Sequence, residues 1–331
     1  MNAPLLFDNH GRPLTYLRLA VTDRCNLRCF YCMPEEGIHY LPKKELLSFE
    51  EITRLVALLA RMGISKIRIT GGEPFVRSDL MELLRKIRNI DGIQSIHLTT
   101  NGLLTAPHLD ELMRLGIRSV NLSLDTLDRD RFYQITRRDE FESTWRTLQL
   151  LLEKGFEVKI NAVVMDGKNS EDIIPFVRLT EKLPLSIRFI EEMPFNGSKQ
   201  AQNLLVWSHR KILDHIRSVF PSLQKAKDDP HSTAYHYSIP GFIGNVGIIA
   251  AYTRSFCGSC NRIRITSQGV LKTCLYDDGV LNIKQLMRAG CSDPEMESSL
   301  QKAFQQRPQD GFEAEKRRKN SVTESMSTIG G

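Results

Sequence analysis

Between Tyr16 and Ile190 the chain repeats one unit: a short β-rich run, a loop, then a helix with apolar residues at 3.6-residue spacing. This rhythm restricts it to α/β architectures. The clearest helix opens at Ser48, with Glu51 three residues on as a capping box, carries Ile52, Leu55, Val56 and Leu59 on one face, and ends at Gly63. Leu80, Leu83, Leu84 and Ile87 repeat the spacing, as do Leu148, Leu151 and Leu152 before Gly155. Each apolar stripe needs a sheet to cover. Strands are expected at 16–21, 67–70, 95–99, 118–124, 158–164 and 185–190, where β-branched and apolar residues cluster between turn signals.

Strands alternating with helices make a parallel sheet wound in one direction, and its ligands bind at the carboxyl ends of the strands. Eight units would close a barrel. Six predict an α/β fold built on a partial (βα)6 TIM-like barrel, its gap closed by a smaller C-terminal α+β domain. The length of 331 residues fits two domains. Beyond Lys225 the rhythm fails: K-D-D-P-H-S reads as a linker, and short glycine-rich strands follow from Tyr235 to Ala250. The expected domains are therefore 8–227 and 228–331.

A composition 41% hydrophobic and 25% charged is that of an ordinary globular chain. Its net charge of +6 is mild and suits an anionic small molecule. No basic stripe interleaved with aromatics points to nucleic acid, and no apolar run approaches the roughly 20 residues of a membrane span. The N-terminal segment lacks the pattern of a signal peptide, so a cytoplasmic location is expected. In that reducing compartment the seven cysteines are not expected to pair as disulfides; six fall into two clusters expected to bind metal, and Cys291 stands alone as an ordinary thiol.

Cys25, Cys29 and Cys32 form a C-x3-C-x2-C set directly after the first strand, at the expected active-site face. Thiolates favour soft metals, and three ligands on a four-iron cluster leave one iron open. A structural zinc loop is the alternative, although no fourth ligand stands nearby. After the second strand comes I-T-G71-G72-E73-P74, a glycine pair suited either to a tight turn or to close approach of a ligand. Arg18, Arg68 and Lys159 interrupt apolar strands, which is costly unless an anion faces them. Thr99 and Ser123 end two further strands, and Met193 follows the sixth.

The first cysteine set, with aromatic Tyr31 before its last member, resembles the radical S-adenosylmethionine superfamily. That resemblance implies an open iron that chelates S-adenosylmethionine, and it implies Tyr31, Gly72, Ser123 and Met193 as residues around that cofactor. A second set, Cys257, Cys260 and Cys274, offers three more thiolates. It reads either as a second cluster or as a zinc ribbon completed by Cys291 or His236. Arg262 and Arg264 share one face of the adjoining strand, a forked pair suited to phosphates.

Both cysteine sets, the G-G-E-P segment and the terminal Gly330-Gly331 together resemble the GTP 3′,8-cyclase family of molybdenum-cofactor biosynthesis. The resemblance implies two 4Fe-4S clusters, with guanine meeting the second. It implies Arg18, Arg68, Thr99, Lys159, Arg262 and Arg264 as GTP contacts, with Arg18, Arg262 and Arg264 catalytic, and a C-terminal Gly-Gly reaching the site. The implied partners are an electron donor such as flavodoxin or ferredoxin and a downstream cyclic pyranopterin monophosphate synthase, with a homodimer compatible. One departure stands out: R307-P-Q-D-G-F lacks the histidine that commonly follows the K-P pair of this family. The rivals are a radical enzyme acting on a peptide or a tRNA base, and a zinc-stabilised binding module without catalysis.

Overall fold

Period-two alternation along the strands separates a polar face from an apolar one. The computed structural model describes residues 5–34, 37–195, 205–319 and 324–330. Six parallel strands form its centre: β1 (Tyr16–Ala20), β2 (Lys66–Thr70), β3 (Ser95–Thr100), β4 (Ser119–Ser123), β5 (Glu157–Val164) and β6 (Leu185–Glu191). Their connections carry α1 (Phe49–Arg61), α2 (Leu80–Arg88), α3 (Leu109–Arg114), α4 (Arg129–Thr136), α5 (Phe141–Glu153) and α6 (Ile173–Lys182). The six expected strands and the three expected helices are all present.

Helix α1 shows why these segments fold as they do. Ser48 accepts from the Glu51 amide at 3.2 Å, and the Glu51 carboxylate accepts from the Ser48 amide at 2.8 Å, so two orphan donors are satisfied at once. Such a cap contributes about 1 kcal/mol. Larger by far is the burial of Ile52, Leu55, Val56, Leu58 and Leu59 against the outer face of the sheet, where truncating one leucine to alanine costs roughly 2–5 kcal/mol. Leu17, Leu19, Ile67, Ile69, Leu122, Ile160 and Ile187 complete that core from the strands.

After β6 come α7 (His209–Val219), β7 (Gln224–Lys225), β8 (Ala234–Ser238) and β9 (Asn245–Ile249), then β10 (Arg262–Ile265), β11 (Val270–Lys272) and β12 (Leu281–Asn282). The chain finishes with α8 (Ile283–Arg288), α9 (Asp293–Phe304), α10 (Gly311–Lys316) and α11 (Met326–Ile329). Among the described residues twelve strands belong to one sheet, ordered β12-β11-β10-β1-β2-β3-β4-β5-β6-β9-β8-β7. Strand β9 adds parallel to β6 and β10 adds parallel to β1, so the C-terminal segment extends the barrel wall at both edges. The barrel stays open, since β12 and β7 end the order without pairing to each other.

Candidate active site

The inward faces of this curved sheet surround one cavity of about 1000 Å³. Residues from both edges line it, Arg264 on β10 and His236 on β8, so the open sheet curls round the space. Most TIM-type interiors are packed with branched apolar residues. Here the interior is polar. The register sets Arg18 beside both Arg264 and Arg68, Arg68 beside His97, and Asn161 beside Arg188.

The residues expected around S-adenosylmethionine and GTP and the six clustered cysteines all line this cavity: Arg18, Arg68, Thr99, Lys159, Arg262, Arg264, Tyr31, Gly72, Ser123, Met193 and the cysteines 25, 29, 32, 257, 260 and 274. The two thiol sets stand at opposite ends of the β1–β10 pair. Cys25 follows the carboxyl end of β1, whereas Cys260 precedes Arg262, which pairs with Tyr16 at the amino end. At about 3.3 Å per residue, the four steps of β1 alone separate those levels by about 13 Å. Tyr16, Arg18, Arg262 and Arg264 form the wall between.

All seven cysteines are free thiols. Among the described residues no three Cys, His, Asp or Glu side chains converge on a single metal ion. An iron–sulfur cube makes no such demand, because each cysteine ligates its own iron. Of the two suggested zinc ligands, Cys291 precedes α9 and does not line the cavity, whereas His236 lines it with its Nδ1 3.2 Å from an Asp228 carboxylate oxygen. Arg18 Nε, Thr99 Oγ1, Asn161 Oδ1 and Arg188 Nε are buried without hydrogen-bond partners among the described residues, and all four residues line the cavity. Buried, unpaired donors and acceptors facing an open volume fit a polar, anionic ligand.

The thiols differ electrostatically. Burial and the nearby Glu73 carboxylate push Cys25 up to about 11, and burial raises Cys29 and Cys32 further. Burial likewise takes Cys274 to about 12. Cys260 alone moves down, to about 7: burial opposes ionisation there, but the Arg262 and Arg307 guanidiniums outweigh it. Arg307 Nη2 donates to the Cys260 sulfur at 3.2 Å.

The glycine pair does a different job from the one expected of a ligand cradle alone. A Cβ on Gly71 would stand 2.6 Å from the Thr22 carbonyl oxygen, and one on Gly72 2.2 Å from that of Arg24. The amides of Gly72 and Glu73 donate to those same carbonyls at 2.9 and 2.8 Å. Both glycines therefore let the segment after β2 lie directly against the first cysteine loop. Two of the expected cations are also partly engaged already. Arg68 donates to the Tyr16 hydroxyl at 2.6 Å and the Leu98 carbonyl at 2.7 Å, and Lys159 pairs with Glu157.

Several site residues escaped the sequence reading. Arg188 on β6 lines the cavity, held at about 10 by burial and by the Arg68 charge; its place among apolar residues in L-S-I-R-F-I was the same signal that marked Arg18. Asp125 accepts from the Tyr31 hydroxyl at 2.7 Å and the Val163 amide at 2.8 Å, and burial lifts it to about 6. Ser325, also missed, donates to the Cys32 carbonyl at 2.5 Å; beyond it, where a Gly-Gly was expected to reach the site, Arg264 donates to the Gly330 carbonyl at 3.1 Å. The tail thus meets both the first cysteine loop and the arginine pair, while Gly331 lies outside the described residues.

Residues 19–180 match the Radical SAM superfamily and residues 185–313 match Molybdenum Cofactor Synthesis C. The Streptococcus suis SuiB crystal structure bound to S-adenosylmethionine shares the fold at a TM-score of 0.61 and 16% identity, covering 86% of this chain and 68% of that one. Molybdenum cofactor biosynthesis protein 1 of Bos taurus is 44% identical over 292 residues, 88% of this chain and 46% of that protein, so the chain spans about half the length of that relative. The mitochondrial GTP 3′,8-cyclase of Arabidopsis thaliana is 40% identical over 87% of this chain and 74% of its own length. The GTP 3′,8-cyclase of Desulforamulus reducens is 39% identical over 328 residues, 98% of this chain and 100% of its own. Fold and cysteine sites define a radical SAM protein, and within that superfamily the chain belongs to the GTP 3′,8-cyclase family.

Proposed function

We propose that the protein is a GTP 3′,8-cyclase, joining C3′ of the ribose to C8 of guanine in the first step of molybdenum-cofactor biosynthesis. One observation carries this reading: two sets of three free thiols face a single cavity from opposite ends of β1, with an arginine-rich wall between them. In this reading Cys25, Cys29 and Cys32 hold one 4Fe-4S cluster and Cys257, Cys260 and Cys274 the other. When bound, the first cluster and S-adenosylmethionine supply a carbon-centred radical able to take hydrogen from C3′ of GTP.

The chain's own residues hold, align and shield. Tyr31, Gly72, Ser123 and Met193 surround S-adenosylmethionine, with Asp125 fixing the Tyr31 hydroxyl. Arg18, Arg68, Thr99, Lys159, Arg262 and Arg264 receive GTP, and guanine is directed to the second thiol set. Buried guanidiniums neutralise the triphosphate and keep C3′ and C8 fixed, the positioning on which an intramolecular ring closure depends. The enclosing wall keeps out water and other hydrogen donors that would quench a radical. Residues 8–227 then form the radical SAM core, which also carries Arg18, Arg68, Thr99 and Lys159, and 228–331 carry the second cluster and the arginine pair Arg262 and Arg264. The reading calls for a cytosolic location, an electron donor such as flavodoxin or ferredoxin, and a cyclic pyranopterin monophosphate synthase downstream; it is compatible with a homodimer.

Anaerobic incubation of the cluster-loaded protein with GTP, S-adenosylmethionine and a reductant tests the proposal. The expected product is the 3′,8-cyclised nucleotide, with about eight irons per chain. Arg262→Ala and Arg264→Ala should each cut GTP cyclisation at least about tenfold, the loss of a hydrogen bond to a charged group, while leaving measurable S-adenosylmethionine cleavage. Unchanged GTP turnover in both variants would remove these arginines from the mechanism.

A further inference from the structure

The R307-P-Q-D-G-F segment departs from its family's pattern, and its arginine occupies a built site. Arg307 is 3% exposed, and all five of its N–H groups are directed at acceptors. Its Nε donates to the Thr273 carbonyl at 2.9 Å; Nη1 donates to Asp8 Oδ2 at 3.0 Å and the Cys260 carbonyl at 2.9 Å; Nη2 donates to the Arg262 carbonyl at 2.9 Å and the Cys260 sulfur at 3.2 Å. Asp8, 4% exposed, also accepts from Arg12 Nε at 2.7 Å, and Arg12 reaches the Cys257 carbonyl at 3.1 Å. The N-terminal arm therefore fixes the guanidinium against the second thiol set, and the carbonyls leave it no other orientation. At the first set, the approach to Cys25 is a neutral Asn101 amide at 3.8 Å.

We propose that Arg307, held in place by Asp8, is a positioning residue that raises the reduction potential of the second cluster through its hydrogen bond to the Cys260 sulfur. The inference rests on the two-cluster reading above. An added electron on an iron–sulfur cluster is shared with the ligating sulfurs, so a charged donor on one sulfur favours the reduced state. Arg262 Nη1 also reaches the Cys260 sulfur, at 3.8 Å, and Arg307 at 3.2 Å is the shorter of the two, so two clusters with identical ligand counts acquire different potentials.

The test is a reductive titration of the cluster-loaded full chain, followed by electron paramagnetic resonance so that both clusters are read in one sample. Arg307→Gln should lower the midpoint of the second cluster and leave that of the first unchanged. Arg307→Lys keeps the charge but has three donors for five acceptors, and should fall between. An unshifted second midpoint in either variant, with about eight irons retained, overturns the proposal. Wild-type protein with about four irons instead defeats the two-cluster reading itself. If neither variant retains the second cluster, wild-type protein labelled with 15N in its guanidinium groups decides. A nitrogen coupling to the reduced second cluster that persists in Arg262→Lys supports the assignment, and its absence overturns it.

Discussion

The two cysteine sets hold three thiols each, and burial raises five of the six; they differ at Cys260, the one thiol that two guanidiniums bring down. Around the first, burial dominates, and Glu73, where ionised, makes thiolate formation at Cys25 harder against a smaller opposing pull from Arg28. Around the second, Arg262 and Arg307 bring Cys260 down to about 7. A metal must supply most of the positive charge for the first loop, while two guanidiniums already supply a larger part of it at Cys260. In physical terms the first setting favours a cluster that gives electrons away, and the second favours one that meets an anionic nucleotide.

Removing one thiol from each loop gives the sharpest contrast. Cys25→Ala should abolish both 5′-deoxyadenosine formation and GTP conversion. Cys274→Ala should leave 5′-deoxyadenosine formation measurable while GTP conversion is lost, and each variant should retain about four irons. Equal loss of both activities in the two variants breaks the comparison. A smaller effect is expected at Arg188, whose buried Nε has no partner among the described residues. Arg188→Ala should weaken GTP binding by about ten- to a hundredfold and GMP binding less, measured as dissociation constants side by side. Equal weakening for both nucleotides would move Arg188 away from the terminal phosphates.

Local rules made much of this fold readable. Capping at Ser48 and Glu51, the stripe of α1 and the six central strands depend on neighbours within one turn or one strand. The joining of β9 to β6 and of β10 to β1 was not readable, because parallel pairing across so many residues leaves no local trace. The same divide runs through the site. Cys25, Cys29 and Cys32 announce themselves by spacing, and Arg18 by its place in an apolar strand. Arg188 carried that second signal and was missed. Asp8 and Arg12 carried none, and the segment of Arg307 stood out only as a departure, since what matters is a carboxylate and a sulfur that approach one guanidinium from positions 8 and 260. The glycine pair was legible as a close approach, but its partner proved to be the cysteine loop itself.

The smallest expected effect concerns the buried acid behind the first loop. Glu73 is 1% exposed and accepts from Phe75 and Asn101 amides and the Thr100 hydroxyl, with no cation paired to it among the described residues. Burial outweighs those bonds and lifts its pKa from 4.5 to about 7. The folded state therefore holds a proton that the unfolded chain releases between those values, so this contribution to stability is complete below about pH 4.5 and is lost as pH rises through about 7. Its upper size is about 3 kcal/mol at 1.36 kcal/mol per unit. Glu73→Gln, uncharged at every pH, should flatten the fall in urea midpoint between pH 5.5 and 8.5, with Cys274→Ala as a control that leaves the slope in place. A slope unaltered by Glu73→Gln would mean that the carboxylate keeps its charge, and the first loop would then be the more negative of the two by a full unit, widening the contrast with the arginine-flanked second loop.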